Sequence, residues 1–254
     1  MMRGREERRY TSFDEDFEKT ANQDFTLPQE YRYVRKNFGA RALSALVYGA
    51  ALAFSAVYCR LVLHMRVRGR ACLRGVSGGF FVYGNHTQPF GDVFIPAHCV
   101  FPRRIYTLVS PANYGIPVIG KLLTYLGALP LVPTLGGCRA LLRAMGDRLD
   151  AGHPVVIYPE AHVWAYYTGI RPFPTAAFGY PARFDKPVIS MTATYQKSVL
   201  HRRPTMTVYL DGPFYGEGET QREKEVSLHA AVYGAMTARA KASNFDFIRY
   251  LPKD

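Results

Sequence analysis

Short apolar segments alternate with longer amphipathic segments from residue 80 to the end of this 254-residue chain, and this pattern restricts the fold more than any other feature. The short segments are rich in β-branched and aromatic residues, as buried strands are. They are residues 80–83, 105–109, 128–132, 155–158, 188–194 and 206–210. The longer segments have the length and apolar spacing of helices, at residues 92–100, 117–125, 136–151 and 220–242. This alternation predicts a single α/β domain with a mostly parallel central sheet flanked by helices.

An uncharged apolar run at residues 43–59 precedes the alternating region, and arginines lie on both sides of it. The run is slightly shorter than the ~20 apolar residues that cross a bilayer, and the two basic flanks give no asymmetry that would orient a span. We therefore expect residues 41–64 to form a helix in the membrane interface. A polar, loosely ordered arm at 1–40 would precede it, and the main domain at 65–254 would follow. A buried core helix and a single membrane span remain open alternatives.

The net charge of +12 indicates an anionic partner. Residues 1–41 hold nine basic and eight acidic side chains, so a net charge of +11 lies in the remainder. A polyanion is therefore expected, either nucleic acid or an anionic lipid surface. The 18 Tyr and 16 Phe residues favour the lipid surface, because amphipathic aromatic side chains settle at headgroup level. We predict attachment to the cytoplasmic face of a membrane, peripheral or shallowly inserted, and no nucleic-acid partner.

Residues 84–92, with the sequence GNHTQPFGD, carry the most informative motif. They follow the predicted strand at 80–83, and ligands of open α/β sheets bind at such strand ends. A histidine at such a position can act as a general base, because an unperturbed imidazole titrates near neutrality. Asp92 could orient the imidazole of His86 and stabilise the cation formed in the transition state. The alternative is an ordinary turn, capped by Asn85 and Asp92, in which His86 has no chemical role.

A second motif, VVIYPEAH, occupies residues 155–162. Its apolar strand is broken at Pro159 and is followed by Glu160 and His162. A carboxylate at a strand end can bind or orient a polar substrate. Because strand ends of a parallel sheet meet at one edge, we expect Glu160 and His86 to line one cavity. A turn whose acidic side chain is merely solvated is the alternative.

Together these two motifs resemble the glycerolipid acyltransferase family, whose best-known members acylate lysophosphatidic acid. That family has an N-H-x-x-x-x-D block after a strand and, further on, a block close to F-P-E-G-T-R-S. The counterparts here are Asn85-His86 through Asp92, and residues 158–162 (YPEAH). Three weaker blocks follow the family's order, at residues 115–121, 186–189 and 208–213. The resemblance covers about residues 65–245.

The resemblance implies transfer of a fatty acyl group from an acyl thioester to a hydroxyl of a glycerolipid such as 1-acylglycerol-3-phosphate. The thioester would be acyl-CoA or acyl-ACP (acyl carrier protein), used as co-substrate without a metal or other cofactor. His86 would be the general base and Asp92 would orient it. The implied substrate-binding residues are Asn85, Thr87, Gln88, Lys121, Pro159, Glu160, His162 and Arg171.

Departures from the family pattern leave the acceptor open. Five residues separate His86 from Asp92 where the family has four, so a bulge at 89–91 must restore their contact. The family's arginines, whose forked guanidinium suits phosphate, are missing after Glu160 and after the strand at 128–132. Lys121, His162 and Arg171 are possible substitutes. A non-phosphorylated lipid acceptor, or a non-catalytic membrane-attached relative with a decayed site, is therefore the alternative.

Two further patterns are weak. Residues 75–79 match G-x-S-x-G, but a strand follows them where the nucleophile elbow of hydrolases requires a helix. Glu160 with His153 and His162 has no spacing typical of a metal site, so we predict no metal. The four cysteines are widely spaced, which argues against zinc and disulfides.

Overall fold

A mostly parallel sheet of seven strands lies at the centre of the protein, as the sequence predicts. The computed structural model describes residues 6–18, 22, 24–28, 31–33 and 37–253. Its strands are β1 (Glu6–Tyr10), β2 (Arg66–Arg68), β3 (Phe81–Gly84), β4 (Tyr106–Val109), β5 (Ala128–Pro130), β6 (Val155–Ile157), β7 (Val188–Gln196), β8 (Thr205–Phe214) and β9 (Ile248–Pro252). The sheet has the order β2-β8-β7-β3-β6-β4-β5, and each neighbouring pair is parallel except β7 with β8.

Helices cover both faces of this sheet. They are α1 (Phe38–Val57), α2 (Ile95–Cys99), α3 (Ile119–Leu126), α4 (Leu135–Asp150), α5 (Gly179–Phe184) and α6 (Gln221–Ala240). Successive side chains of a strand point to opposite faces. Val82 accordingly joins the core that contains Ile95 of α2, whereas Phe81 joins the core that contains Met145 of α4 and Val232 of α6. Burial on both faces explains why the strands are continuously apolar in sequence.

Helix α1 lies along the outside of the domain. The side chain of Asn37 caps its first turn by accepting a hydrogen bond from the Ala40 N–H at 2.8 Å. Among its 20 residues, all of them described, only Ser55 is buried, so the core-helix alternative is wrong. Its outer side exposes Leu43, Leu46, Phe54 and Val57. By length and composition, the helical stretch Phe38–Leu61 is able to cross a membrane, with a mean hydropathy of 1.7.

The N-terminal segment that precedes α1 packs on the domain that follows it. β1 pairs in parallel with β9, and the rings of Tyr10 and Phe13 lie 4.9 and 5.9 Å from the ring of Trp164. The prediction of a loosely ordered arm is therefore wrong for residues 6–18, because β1 is paired with β9 and the half-buried rings of Tyr10, Phe13 and Phe17 pack on Trp164. Other parts of the predicted arm lie outside the described residues: 1–5, 19–21, 23, 29, 30 and 34–36.

The parallel pairing of β3 with β6 brings the two sequence motifs together. Phe81 is paired with Val155, and Tyr83 with Ile157. Since both strands run in the same direction, the loops that follow them leave the sheet at its carboxyl edge. The segments that contain His86 and Glu160 therefore meet there.

Candidate active site

His86 and Asp92 form a hydrogen-bonded pair in the loop after β3. His86 Nδ1 lies 2.6 Å from Asp92 Oδ2, so the predicted contact is present. The same carboxylate oxygen accepts the backbone N–H of Gln88 at 2.9 Å. The backbone N–H of Asp92 in turn donates to the Gln88 carbonyl at 3.2 Å. These bonds close a tight turn that takes up the extra residue between His86 and Asp92, as the sequence predicts.

Glycine at position 91 permits this turn to close. A Cβ added there would lie 3.0 Å from Cβ of Gln88 and 3.2 Å from Cδ1 of Leu63, which is closer than side chains normally approach. A short 3₁₀ turn, Gly91–Val93, then presents Asp92 towards His86. Asp92 is only 4% exposed, so water has little access to the bond between the two side chains.

The hydrogen bonds of Asp92 determine which nitrogen of His86 is available for chemistry. A carboxylate only accepts hydrogen bonds, so the tautomer of His86 that suits this contact is the one with the proton on Nδ1, which donates to Oδ2 of Asp92. In the neutral imidazole, Nε2 then has a free lone pair. The side chain of His86 is 22% exposed, so a substrate hydroxyl is able to approach it.

Tyr158 supports both members of the pair. Its ring stacks on the His86 ring with centroids 4.5 Å apart, and its hydroxyl donates to the backbone carbonyl of Asp92 at 2.6 Å. Burial raises the pKa of Tyr158 well above its ordinary value, so the phenol remains a neutral donor. The sequence motif gave this residue no role, because its position follows from the pairing of β3 with β6.

Three residues predicted to bind substrate instead hold the loop of His86 in place. The Asn85 side chain is bonded to both backbone polar groups of Ala193, at 2.8 and 3.0 Å. Thr87 Oγ1 lies 2.7 Å from the Tyr195 hydroxyl, which also accepts from Gln88 Nε2 at 3.1 Å. Asn85, Thr87 and Gln88 are each at most 2% exposed.

Glu160 contacts the backbone of His86, but it lies beneath the loop and away from solvent, so it does not line a cavity with His86 as predicted. Its Oε2 accepts the backbone N–H of His86 at 3.1 Å and Nη2 of Arg171 at 3.2 Å, while its Oε1 accepts the Arg171 N–H at 3.0 Å. The side chains of Glu160 and Arg171 are 0% and 1% exposed. Burial raises the pKa of Glu160, whereas Arg171 and the backbone N–H groups act in the opposite direction.

Arg171 is a structural cation in this arrangement. Besides Glu160, it donates to the carbonyls of Phe13 and His162, and its guanidinium lies over the Trp164 ring at 5.0 Å. The backbone N–H of Trp164 donates to the His86 carbonyl at 3.0 Å. Trp164 thus connects the N-terminal segment to the loop of His86.

The remaining predicted residues differ in accessibility. Pro159 is buried, Lys121 is exposed on α3, and the side chain of His162 is 39% exposed with Nδ1 3.6 Å from Asp16. Lys121 and His162 are therefore the members of the predicted substrate-binding set that solvent reaches. Within the described part of the chain, no three His, Cys, Asp or Glu side chains gather in a way that could hold a metal ion.

An aromatic cluster connects α1 to the loop of His86. It consists of Phe54, Tyr58, Phe90 and Phe94, with ring centroids 5.2 to 6.5 Å apart. Phe54 and Phe90 are about half exposed, and the neighbouring Val93 is 53% exposed. The apolar outer side of α1 therefore continues to the residues immediately beside the His86–Asp92 pair.

The fold and this pair define the class: an α/β protein with a histidine–carboxylate pair at the carboxyl edge of its sheet, beside an exposed apolar helix. Comparison with solved structures identifies a particular protein with this fold, the 1-acyl-sn-glycerophosphate (LPA) acyltransferase PlsC from Thermotoga maritima. The TM-score is 0.57, and the match covers 84% of this chain and 87% of that chain. The sequences are 16% identical, so the likeness establishes the fold. No family model and no curated protein sequence matches the chain.

Proposed function

We propose that this chain is an acyltransferase that moves a fatty acyl group from an acyl thioester, acyl-ACP or acyl-CoA, to a hydroxyl of a glycerolipid. The observation that carries the proposal is the 2.6 Å bond between His86 Nδ1 and Asp92 Oδ2. It leaves Nε2 of a partly exposed histidine free to accept a proton. The fold that the chain shares with an LPA acyltransferase supports the same reaction class.

In the proposed reaction, Nε2 of His86 takes the proton of the acceptor hydroxyl while the hydroxyl oxygen attacks the thioester carbonyl. Asp92 stabilises the imidazolium that forms. The tetrahedral intermediate then expels the thiolate, which takes the proton back from His86, and an ester and a free thiol result. Glu160 contributes by holding the backbone of His86, without touching the acceptor.

Attachment to the cytoplasmic face of a membrane, as a peripheral or shallowly inserted protein, is part of the proposal. Residues before α1 pack with residues after it, through β1 with β9. A helix with both flanks on one side of the bilayer lies in the interface. Its apolar outer side would then bring the aromatic cluster and the His86–Asp92 pair to the surface where lysolipids and acyl chains are concentrated.

A non-phosphorylated lipid is the second candidate acceptor, and the burial of Arg171 favours it. Arg171 was the only arginine among the residues predicted to grip a phosphate, yet it is 1% exposed and bonded to Glu160. Lys121 and His162 are the exposed basic residues that would have to bind the phosphate of 1-acylglycerol-3-phosphate.

The test is an acceptor panel with the full-length protein on vesicles. Labelled acyl-CoA or acyl-ACP is supplied with 1-acylglycerol-3-phosphate, glycerol 3-phosphate, or an uncharged lysolipid. We expect one acceptor class to be acylated and both His86→Ala and Asp92→Asn to lower kcat by ~10² to 10⁴. His98→Ala on α2 is the matched control and should keep wild-type activity. Transfer by His86→Ala at the wild-type rate would rule out the proposed mechanism.

A further inference from the structure

A basic cavity of about 860 Å³ opens at the amino edge of the sheet, opposite the edge that carries His86. Tyr106 begins β4, Ala128 begins β5, and His153 lies just before β6; all three line the cavity. The beginning of α1 and the end of α3 enclose it from the other side. The cavity is therefore separated from the His86–Asp92 pair by the length of the central strands.

Positive charge dominates the lining of this cavity. The lining contains four basic residues, Arg41, Arg104, Arg148 and His153, and none of its described residues is acidic. The guanidinium of Arg148 lies over the Tyr106 ring at 4.7 Å. The guanidinium of Arg104 lies over Tyr48 at 4.6 Å and donates to Ser44 Oγ and the Tyr125 carbonyl at 2.6 and 2.7 Å. These neutral partners orient the two cations without neutralising them.

Both arginines also have unused hydrogen-bonding capacity. Nε of Arg104 and Nε of Arg148 are buried and have no hydrogen-bond partner among the described residues. A buried donor without a partner is unfavourable, and so is a half-buried cation that has no acidic side chain beside it among the described lining residues. Burial lowers the pKa of His153. The positive charges of the nearby Arg148 and Arg104 lower this pKa further, so the two cations also act on His153. A bound anion would relieve all three effects.

We propose that this cavity binds a phosphate group, supplied either by the headgroup of an anionic membrane lipid or by a free phosphate ester. Paired guanidinium forks are well suited to phosphate oxygens. The cavity opens beside the beginning of α1, where Phe38 is 86% exposed. If a membrane contacts α1, its lipid headgroups are therefore close enough to enter the cavity. The proposed site does not depend on His86 and goes beyond the acyl transfer proposed above.

Binding to the full-length protein in zwitterionic detergent tests the proposal by calorimetry. The probes are inorganic phosphate, glycerol 3-phosphate, and the short-chain lipids dihexanoyl phosphatidylglycerol and dihexanoyl phosphatidylcholine. A lipid headgroup is the source if phosphatidylglycerol binds best, and a free ester is the source if glycerol 3-phosphate does. Arg148→Gln should weaken binding of the preferred probe by about tenfold, whereas Arg143→Gln, an exposed control on the same helix, should leave it unchanged.

Further measurements distinguish a loss of phosphate binding from misfolding of the variant and from failure of the proposed acyl transfer. Arg148→Lys retains the charge but loses the fork, so we expect an intermediate affinity with a wild-type melting temperature. Proton NMR should show the pKa of His153 rising when the preferred probe binds, with His153→Gln to assign the signal. His86→Ala should bind the probe normally, even if the proposed reaction proves wrong. Equal affinity of wild type, Arg148→Gln and Arg143→Gln for every probe, or no binding by wild type, would overturn the proposal.

Discussion

At the scale of single residues, the backbone of His86 depends on a carboxylate that solvent does not reach. Glu160 accepts the His86 N–H and also neutralises the buried guanidinium of Arg171. Removing one member of a buried pair leaves an uncompensated charge, which costs about 3 to 5 kcal/mol. We therefore predict that Glu160→Gln lowers the free energy of unfolding by about 3 kcal/mol and lowers kcat, because the loop of His86 is held less firmly.

Denaturant unfolding and steady-state kinetics measure both effects. Arg222→Gln is the matched control, because it also breaks an arginine–glutamate pair, with Glu225, but at a side chain that is 69% exposed. Exposed pairs contribute at most about 1 kcal/mol, so this variant should resemble wild type. A Glu160→Gln protein as stable as the Arg222→Gln control would show that the buried pair does not stabilise the fold.

The contact between His86 and Asp92 was predictable because the two residues lie close together in sequence. His86 and Asp92 are six positions apart, and their pairing requires only one turn. Tyr195 and Trp164 could not be predicted in this way, because their contacts with the loop depend on the register of β7 and on the path of the chain after β6. Arg171 was predicted to bind substrate, but its charge is balanced internally by Glu160, which no local pattern indicates.

At the scale of elements, the N-terminal segment 6–18 braces the region behind His86. The carbonyl of Glu15 accepts Trp164 Nε1 at 2.8 Å, and the carbonyl of Phe13 accepts Arg171 Nη1 at 3.0 Å. Deleting residues 1–18 removes both acceptors and exposes the Trp164 ring. We predict a lower kcat for this truncated protein, with vesicle attachment retained because α1 remains intact.

Tryptophan fluorescence gives a direct readout, since Trp164 is the only tryptophan in the chain. Its emission should shift to longer wavelength in the truncated protein as water reaches the ring. Vesicle co-sedimentation of the same sample serves as the control for an intact α1. Unchanged emission together with unchanged kcat would mean that the segment does not support the site.

Central strands and long helices were predictable to within a few residues, whereas short and terminal elements were not. The predicted helix at 136–151 corresponds to α4. The predicted strand at 188–194 corresponds to β7, which lies between β3 and β8 in the sheet. The predicted helix at 92–100 instead divides into the 3₁₀ turn Gly91–Val93 and the short α2. β1 was missed because its sequence is charged, and its pairing with β9 joins opposite ends of the chain.

At the scale of the whole molecule, an exposed apolar surface on α1 accompanies a strongly basic body. Leu46 and Val57 are 73% and 56% exposed on its outer side, and a net charge of +11 lies in residues 42–254. We predict that the protein pellets with anionic vesicles and that salt weakens this attachment only partly, because the apolar contribution persists. Leu46→Glu combined with Val57→Glu should reduce vesicle affinity by about tenfold or more.

Co-sedimentation with phosphatidylglycerol vesicles at low and high salt measures this attachment. Val226→Glu is the matched control, because Val226 is also exposed but lies on α6, on the opposite face of the sheet. It should bind vesicles as wild type does. If the two α1 substitutions and the control behave alike, α1 is not the surface that meets the membrane.

The pairing of β1 with β9 also sets an order for events during translation. β1 leaves the ribosome first among the described elements, but its partner is the last to be made. α1 emerges early, so a nascent chain can associate with a membrane while β7, Tyr195 and β9 are still unsynthesised. The loop of His86 acquires its full set of supports only when residues 248–252 appear. Under the proposed function, membrane attachment through α1 would therefore precede completion of the site around His86.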